Sequence, residues 1–277
     1  MSVHRSAVLL HRALWLVFIT QAILSPFVDL PYDYWLGWLP GLAAIALGFR
    51  LRAIEERRVR AGAPAPVETE PPVTGRWSAQ NSPADRVPSH GTHSRGQTYA
   101  IDIVAESDER PRPPFSPLWP IARRNGAFPA FGAELRAVAD ATVVHACDHR
   151  RDHLSRTSWP GLIYMLIVEG VVRGVAGRGQ IFGNHLVLDL GDGTYAAYAH
   201  VQRGSLQVRE GDRVYAGQAV ARCGNSGNSS EPHVHFQLMD GPDLDRARGI
   251  PFTWRGIGVP KNGETFTADP AVPETSA

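Results

Sequence analysis

Between residues 183 and 240 no stretch of ten or more residues keeps a helical hydrophobic period, and this limits the fold more than any other feature. Short apolar or alternating runs follow one another instead: HLVLDLG at 185–191, TYAAYAHV at 194–201, RVYAGQAVARC at 213–223 and HVHFQLM at 233–239. Between them lie Gly-Asp-Gly (191–193), Glu-Gly-Asp (210–212) and Gly-Asn-Ser-Gly-Asn (224–228). Runs of this length, bounded by residues that accept turn geometry, read as strands. TYAIDIV (98–104) and ATVVHA (141–146) extend the pattern upstream, so an all-β domain is expected. Two segments rich in Pro and Arg, 107–131 and 148–159, are long and irregular enough to form walls or lids.

The first fifty residues are of another kind. Residues 13–28 (ALWLVFITQAILSPFV) and 34–49 (YWLGWLPGLAAIALGF) carry no charge and are separated by a short acidic loop, 29–33. Each is short for crossing about 30 Å of hydrocarbon, but Trp and Tyr at the interface make it usable. The expectation is an N-terminal helical membrane hairpin of one or two spans, with the lipid bilayer as partner. Arg5 and Arg12 precede it and Arg50, Arg52, Arg57, Arg58 and Arg60 follow it, a distribution that places both flanks in the cytoplasm. No small-x-small cleavage site closes the first run, which argues against a cleaved signal peptide. The organisation expected is a membrane-anchoring segment at 1–60, a Pro-rich spacer at 61–74, the β domain at 75–260 and a flexible tail at 261–277.

Composition removes several function classes. A net charge of +1 over 277 residues does not support nucleic-acid binding. Two cysteines exclude a disulfide-stapled mini-protein. Cys147 and Cys223 are candidates for one disulfide and equally for free thiols. The stretch GDRVYAGQ (211–218) is shared with biotinyl and lipoyl carriers, but these need a lysine at a hairpin tip and Lys261 is the single lysine. The Gly-Asn-Ser-Gly-Asn turn lacks the Gly-Lys-Ser/Thr ending of a phosphate loop.

Most of the eleven histidines have ordinary explanations. His4 and His11 flank the apolar run, His145, His149 and His153 sit in or beside a polar loop, and His185 opens a strand. Two groups resist this. In Pro232-His233-Val234-His235-Phe236, a strand puts both imidazoles on one face while Val234 and Phe236 enter the core, an arrangement suited to a metal or to a ligand plus a proton carrier. In Ser89-His90-Gly91-Thr92-His93 followed by Tyr99-Ala100-Ile101-Asp102-Ile103, a carboxylate flanked by isoleucines asks for a cation nearby. His200 adds a further imidazole at the end of a strand. Tyr198 shares its strand face and is a candidate for substrate positioning, with a core role the simpler expectation.

Gly183-Asn184, Gly191-Asp192-Gly193, Tyr198-Ala199-His200, Gly211-Asp212 through Gly217-Gln218, the 224–228 turn and the His233-Val234-His235 strand resemble, in this order, the lysostaphin-type zinc metallopeptidases. The resemblance covers roughly residues 75–240 and is nearly continuous over 183–238. It implies antiparallel sheets forming a groove, one Zn²⁺ on its floor, and endopeptidase action on peptidoglycan peptides by a metal-activated water. By position it implies that Asp102 and His235 are zinc ligands and that His200 and His233 are the catalytic imidazoles. A third ligand is expected three or four residues before Asp102, yet His93 lies nine residues before it and His90 twelve. His90 is favoured and His93 is its rival. The resemblance also implies an extracytoplasmic domain, against the flanking arginines. The alternative is a module of the same fold without turnover, serving as a wall-binding or activator domain.

Overall fold

The computed structural model describes residues 3–28, 32–169 and 181–269. Part of the acidic loop (29–31) and the end of the tail (270–277) therefore lie outside the described residues. The chain divides into two compact units, Met1–Ala63 and Pro64–Ala277.

The first unit is an antiparallel pair of helices, α1 (Val3–Leu24) and α2 (Leu39–Ala61), joined through a 3-10 turn at Tyr34–Trp38. The helices meet through small residues: a methyl group on Gly41 would sit 2.9 Å from the Phe18 ring. Trp15 donates to His11 one turn earlier at 3.2 Å, and Phe18 packs on Trp38 with centroids 5.7 Å apart. The expected membrane spans are not found, since no described helix is long and apolar enough to cross a membrane. The apolar runs are cut by the helix boundaries. Only residues 13–24 of the first run and 39–49 of the second are helical and uncharged, which gives about 16–18 Å of rise against about 30 Å of hydrocarbon.

The second unit is built from strands. In chain order they are β1 (Val67–Thr69), β2 (Gly75–Gln80), β3 (Ile101–Ala105), β4 (Glu134–Arg136) and β5 (Ala141–Cys147). Next come β6 (His185–Asp189), β7 (Tyr195–Ala199), β8 (Arg213–Val214) and β9 (Ala219–Arg222). The last are β10 (Val234–Met239), β11 (Gly249–Ile250), β12 (Phe252–Trp254) and β13 (Thr265–Ala268). The main sheet runs β13-β2-β3-β10-β7-β6-β5-β8, with β11 added to β10, and its described pairs are antiparallel. Two small sheets, β1 with β12 and β4 with β9, complete the set.

Alternation along the central strands sends Ile101, Ile103, Leu186, Leu188, Tyr198, Val234, Phe236 and Leu238 into one core, closed by Phe252 and Trp254. Apolar burial of this kind contributes about 25 cal/mol per Å² removed from water, so the core fixes which face of each strand is left for chemistry.

Two segments expected to be loose are paired. The spacer contributes β1, which runs parallel to β12, and its Val73 is fully buried. The tail contributes β13, which pairs with β2 and turns Phe266 and Ala268 inward. Proline there breaks helices without preventing inward-facing residues from docking on a sheet.

Candidate functional site

Asp102 on β3 lies directly opposite His235 on β10, and β10 is paired on its other side with β7, which ends one residue before His200. His233 stands two residues before His235 and shares its face. Register alone thus gathers one carboxylate and three imidazoles. The ring centroids of His200 and His233 are 4.7 Å apart, those of His90 and His235 4.7 Å, and those of His200 and His235 5.9 Å.

His90 reaches the group from the segment before β3. Its Nε2 is 3.0 Å from Asp102 Oδ2, while His235 Nδ1 is 2.9 Å from Asp102 Oδ1. Ligand atoms of His90, Asp102 and His235 all lie within 4.8 Å of one another. His93 is not in that set; its Nδ1 is 3.2 Å from Thr98 Oγ1. The long stretch between His90 and Asp102 folds as a 3-10 segment, Ser94–Tyr99, kinked at Arg95 and Gly96, which takes up the additional residues.

Neighbouring polar groups decide what this cluster can hold. Ser89 Oγ donates to the carbonyl of Gln97 at 3.3 Å, so it receives the Nδ1–H of His90 at 3.0 Å and leaves the Nε2 lone pair facing Asp102. Gln237 Nε2 donates to the Arg95 carbonyl at 2.8 Å, which turns its Oε1 to receive the Nε2–H of His235 at 3.0 Å. The Nδ1 lone pair of His235 then also faces Asp102. Asn81 Nδ2 holds Asp102 Oδ2 at 2.8 Å. Three acceptors converge with no proton of their own between them, a donor set that fits a divalent cation of the zinc type. Burial pushes the Asp102 carboxyl toward its neutral form, but the electrostatic pull of the His90 and His233 rings and the contacts with His235 and His90 hold it well below the usual carboxylate range. It therefore offers a full charge to a cation.

His200 is set by the turn regions. It has a positive φ of 62°, donates its Nδ1–H to the Ser226 carbonyl at 2.8 Å, and is almost fully buried. Burial first, then repulsion from His233 and His235, lowers its pKa well below the usual imidazole value, so it is neutral near pH 7. The Ser226 carbonyl can stand there because Gly183 and Gly227 approach backbone to backbone; a Cβ on Gly183 would lie 2.4 Å from the Ser226 carbonyl carbon. His233 is fixed in the same way: its Nδ1–H is 2.8 Å from the Glu231 carbonyl.

Tyr198 belongs to the core. Its hydroxyl donates to the Arg136 carbonyl at 2.9 Å and accepts from the Val138 amide at 3.1 Å, and burial raises its pKa. Cys147 and Cys223 are free thiols. Sequence reasoning did not single out Ser89, Asn81 or Gln237. Gln237 had a signal, since it follows His235 by two and so shares its face.

Residues 166–246, which include His200, His233 and His235, match the family model described as Peptidase family M23. Glycyl-glycine endopeptidase ALE-1 of Staphylococcus capitis is 41% identical over 58 residues, 21% of this chain and 16% of that protein. Lysostaphin of Staphylococcus simulans is 33% identical over 90 residues, 32% of this chain and 18% of that protein. Over that stretch the chain is similar to the lysostaphin-type peptidases of family M23. These matches, and one at 25% identity to the cell division protein DipM of Caulobacter vibrioides that covers 39% of this chain and 17% of that protein, span less than a fifth of each relative. The crystallised catalytic domain of lysostaphin from Staphylococcus simulans aligns over 50% of this chain and 85% of its own at 22% identity and a TM-score of 0.29. Asp102 and His90 lie upstream of the stretch that matches the M23 family model.

Proposed function

We propose that the chain is a zinc-dependent endopeptidase that hydrolyses peptide bonds in peptidoglycan. The observation that carries this reading is the convergence of His90 Nε2, an Asp102 carboxylate oxygen and His235 Nδ1 beneath two further imidazoles. Those three atoms would hold the ion. Lewis acidity is what zinc supplies when bound there, acidifying water and polarising the scissile carbonyl. The rest falls to the protein. His200 and His233 each give Nδ1–H to a backbone carbonyl, at 2.8 Å in both cases, so each presents Nε2 as a base. One ring takes the proton of the attacking water and returns it to the leaving amine. Once protonated, an imidazole in this buried site also stabilises the oxyanion. No glutamate base is required.

Peptidoglycan as substrate is supported by the match to family M23 and by relatives that include a glycyl-glycine endopeptidase and lysostaphin. Action on that substrate would require the domain to lie outside the cytoplasm, at the cell wall. The test is zinc content of the purified chain together with release of new amino termini from purified peptidoglycan. The expected result is one zinc per chain and cleavage. His235→Ala is expected to lose both metal and activity, and His200→Ala to keep zinc and lose rate by about 10²–10⁴-fold. Zinc without cleavage in the unaltered chain would favour the wall-binding or activator module instead, and normal turnover in either variant would overturn the assignment.

A further inference from the structure

The 107–131 wall contains Arg-Pro-Arg-Pro-Pro at 110–114. Prolines on both sides of Arg112 withhold backbone donors, so this stretch docks through side chains. Arg112 Nε donates to Glu231 Oε2 at 2.9 Å and Nη2 donates to Glu231 Oε1, a two-pronged ion pair. The Glu231 side chain is 9% exposed and that of Arg112 34%. Gln80, with its amide oxygen turned to the arginine, accepts from Nη1 at 2.9 Å and Nη2 at 3.1 Å. The guanidinium is thus occupied on both edges and has little left for a substrate. Its two partners flank the floor. Gln80 is paired directly opposite Asp102, and Glu231 stands two residues before His233.

The backbone carbonyl of Glu231 accepts the Nδ1–H of His233 at 2.8 Å and the Ser229 hydroxyl at 2.7 Å, and Ser229 Oγ stands 3.1 Å from the same Nδ1. His233 Nε2 then stands 3.6 Å from Asp102 Oδ1. Holding the Glu231 side chain therefore holds the carbonyl that orients the ring. We propose that Arg112 is a positioning residue for His233, acting through Glu231, and that the same fork seats the 107–131 wall on the groove floor. A cavity of about 370 Å³ beside the pair, lined by Arg112, Phe115, Thr157 and Glu231 among others, opens along that wall. This inference rests on the peptidase reading for its kinetic readout and on geometry alone for its spectroscopic one.

The test compares Arg112→Met and Arg112→Lys with the unaltered chain. Lysine keeps the charge but not the fork, so it is expected to fall between the other two. Arg112→Met is expected to lower kcat about 10–100-fold, as small misplacements of a reacting group do, with zinc content unchanged. Long-range ¹⁵N spectra of the histidines at one fixed pH are expected to show His233 as a single Nδ1–H tautomer in the unaltered protein and as a mixture in Arg112→Met. A raised KM with unchanged kcat, or an unchanged His233 tautomer, would reduce Arg112 to a wall anchor and overturn the proposal. If Arg112→Met does not fold, Arg112→Lys decides by the same two readouts. If the unaltered chain cleaves nothing, that result counts against the peptidase reading, and the tautomer measurement still decides the role of Arg112.

Discussion

Along β10 the position of each side chain follows from strand register. His235 faces Asp102 across one ladder, while Phe236, one residue on, is buried among Tyr198, Phe252 and Trp254. The 107–131 and 148–159 walls have no such ladder. Isolated bridges, Ser116 with Ser158 and Arg123 with Ser155, join them to each other. Single backbone bonds, His153 N–H to the Asn225 carbonyl at 3.2 Å and Arg156 N–H to the Ser230 carbonyl at 2.6 Å, tie the second wall to the turn before β10. Side chains add to them: Phe115 stacks edge-on against Trp159 at 5.3 Å, Asn225 reaches Asn125 at 2.9 Å, and Arg156 pairs with Glu169. Floor and walls thus depend on different interactions. A floor residue is held by the core beneath the sheet, so its loss is felt in stability, whereas a wall residue is held by a few local contacts, so its loss is felt in substrate binding.

Three substitutions press on this difference. Phe236→Ala removes a fully buried ring from the floor strand and is expected to cost about 3–5 kcal/mol, read as a shift in the denaturation midpoint. Tyr198→Phe leaves the Val138 amide and the Arg136 carbonyl without their shared hydroxyl. The expected cost is about 1–3 kcal/mol, with zinc content unchanged because the ring points away from the site. Phe115→Ala, on the wall, forfeits an aromatic pair worth about 0.5–1.5 kcal/mol. It is expected to raise KM for peptidoglycan fragments while kcat holds. Were Phe115→Ala to destabilise the protein as much as Phe236→Ala, walls and floor would be one cooperative body and the distinction would fail.

The same division explains what could be read from the sequence. The His-x-His alternation and the isoleucine-flanked Asp102 were legible because strand period two dictates which residues share a face. His90 was less so. Its reach depends on a kink at Arg95 and Gly96, which no periodicity announces, and only the resemblance to a family pointed there. Arg112 and Glu231 are 119 residues apart, and the prolines on either side of Arg112 give no hint of which carboxylate it meets. The apolar runs at the N-terminus were visible, but where the helices stop was not. Leu24 ends α1 while the run continues to Val28, and a 3-10 turn takes the start of the second run, which shortens what hydropathy alone counts as one segment.

The strand from Thr265 to Ala268 gives the far end of the chain a part in the chemistry. By covering β2 it keeps that strand from being the rim of the sheet. Beyond β2 the backbone turns to Asn81, which steadies the Asp102 carboxylate. A chain cut at Pro260 would keep the three proposed zinc ligands and both proposed catalytic imidazoles, yet it would bare a row of hydrogen-bonding groups open to another chain's strand. Such a fragment would be drawn to self-association before its chemistry was ever at issue.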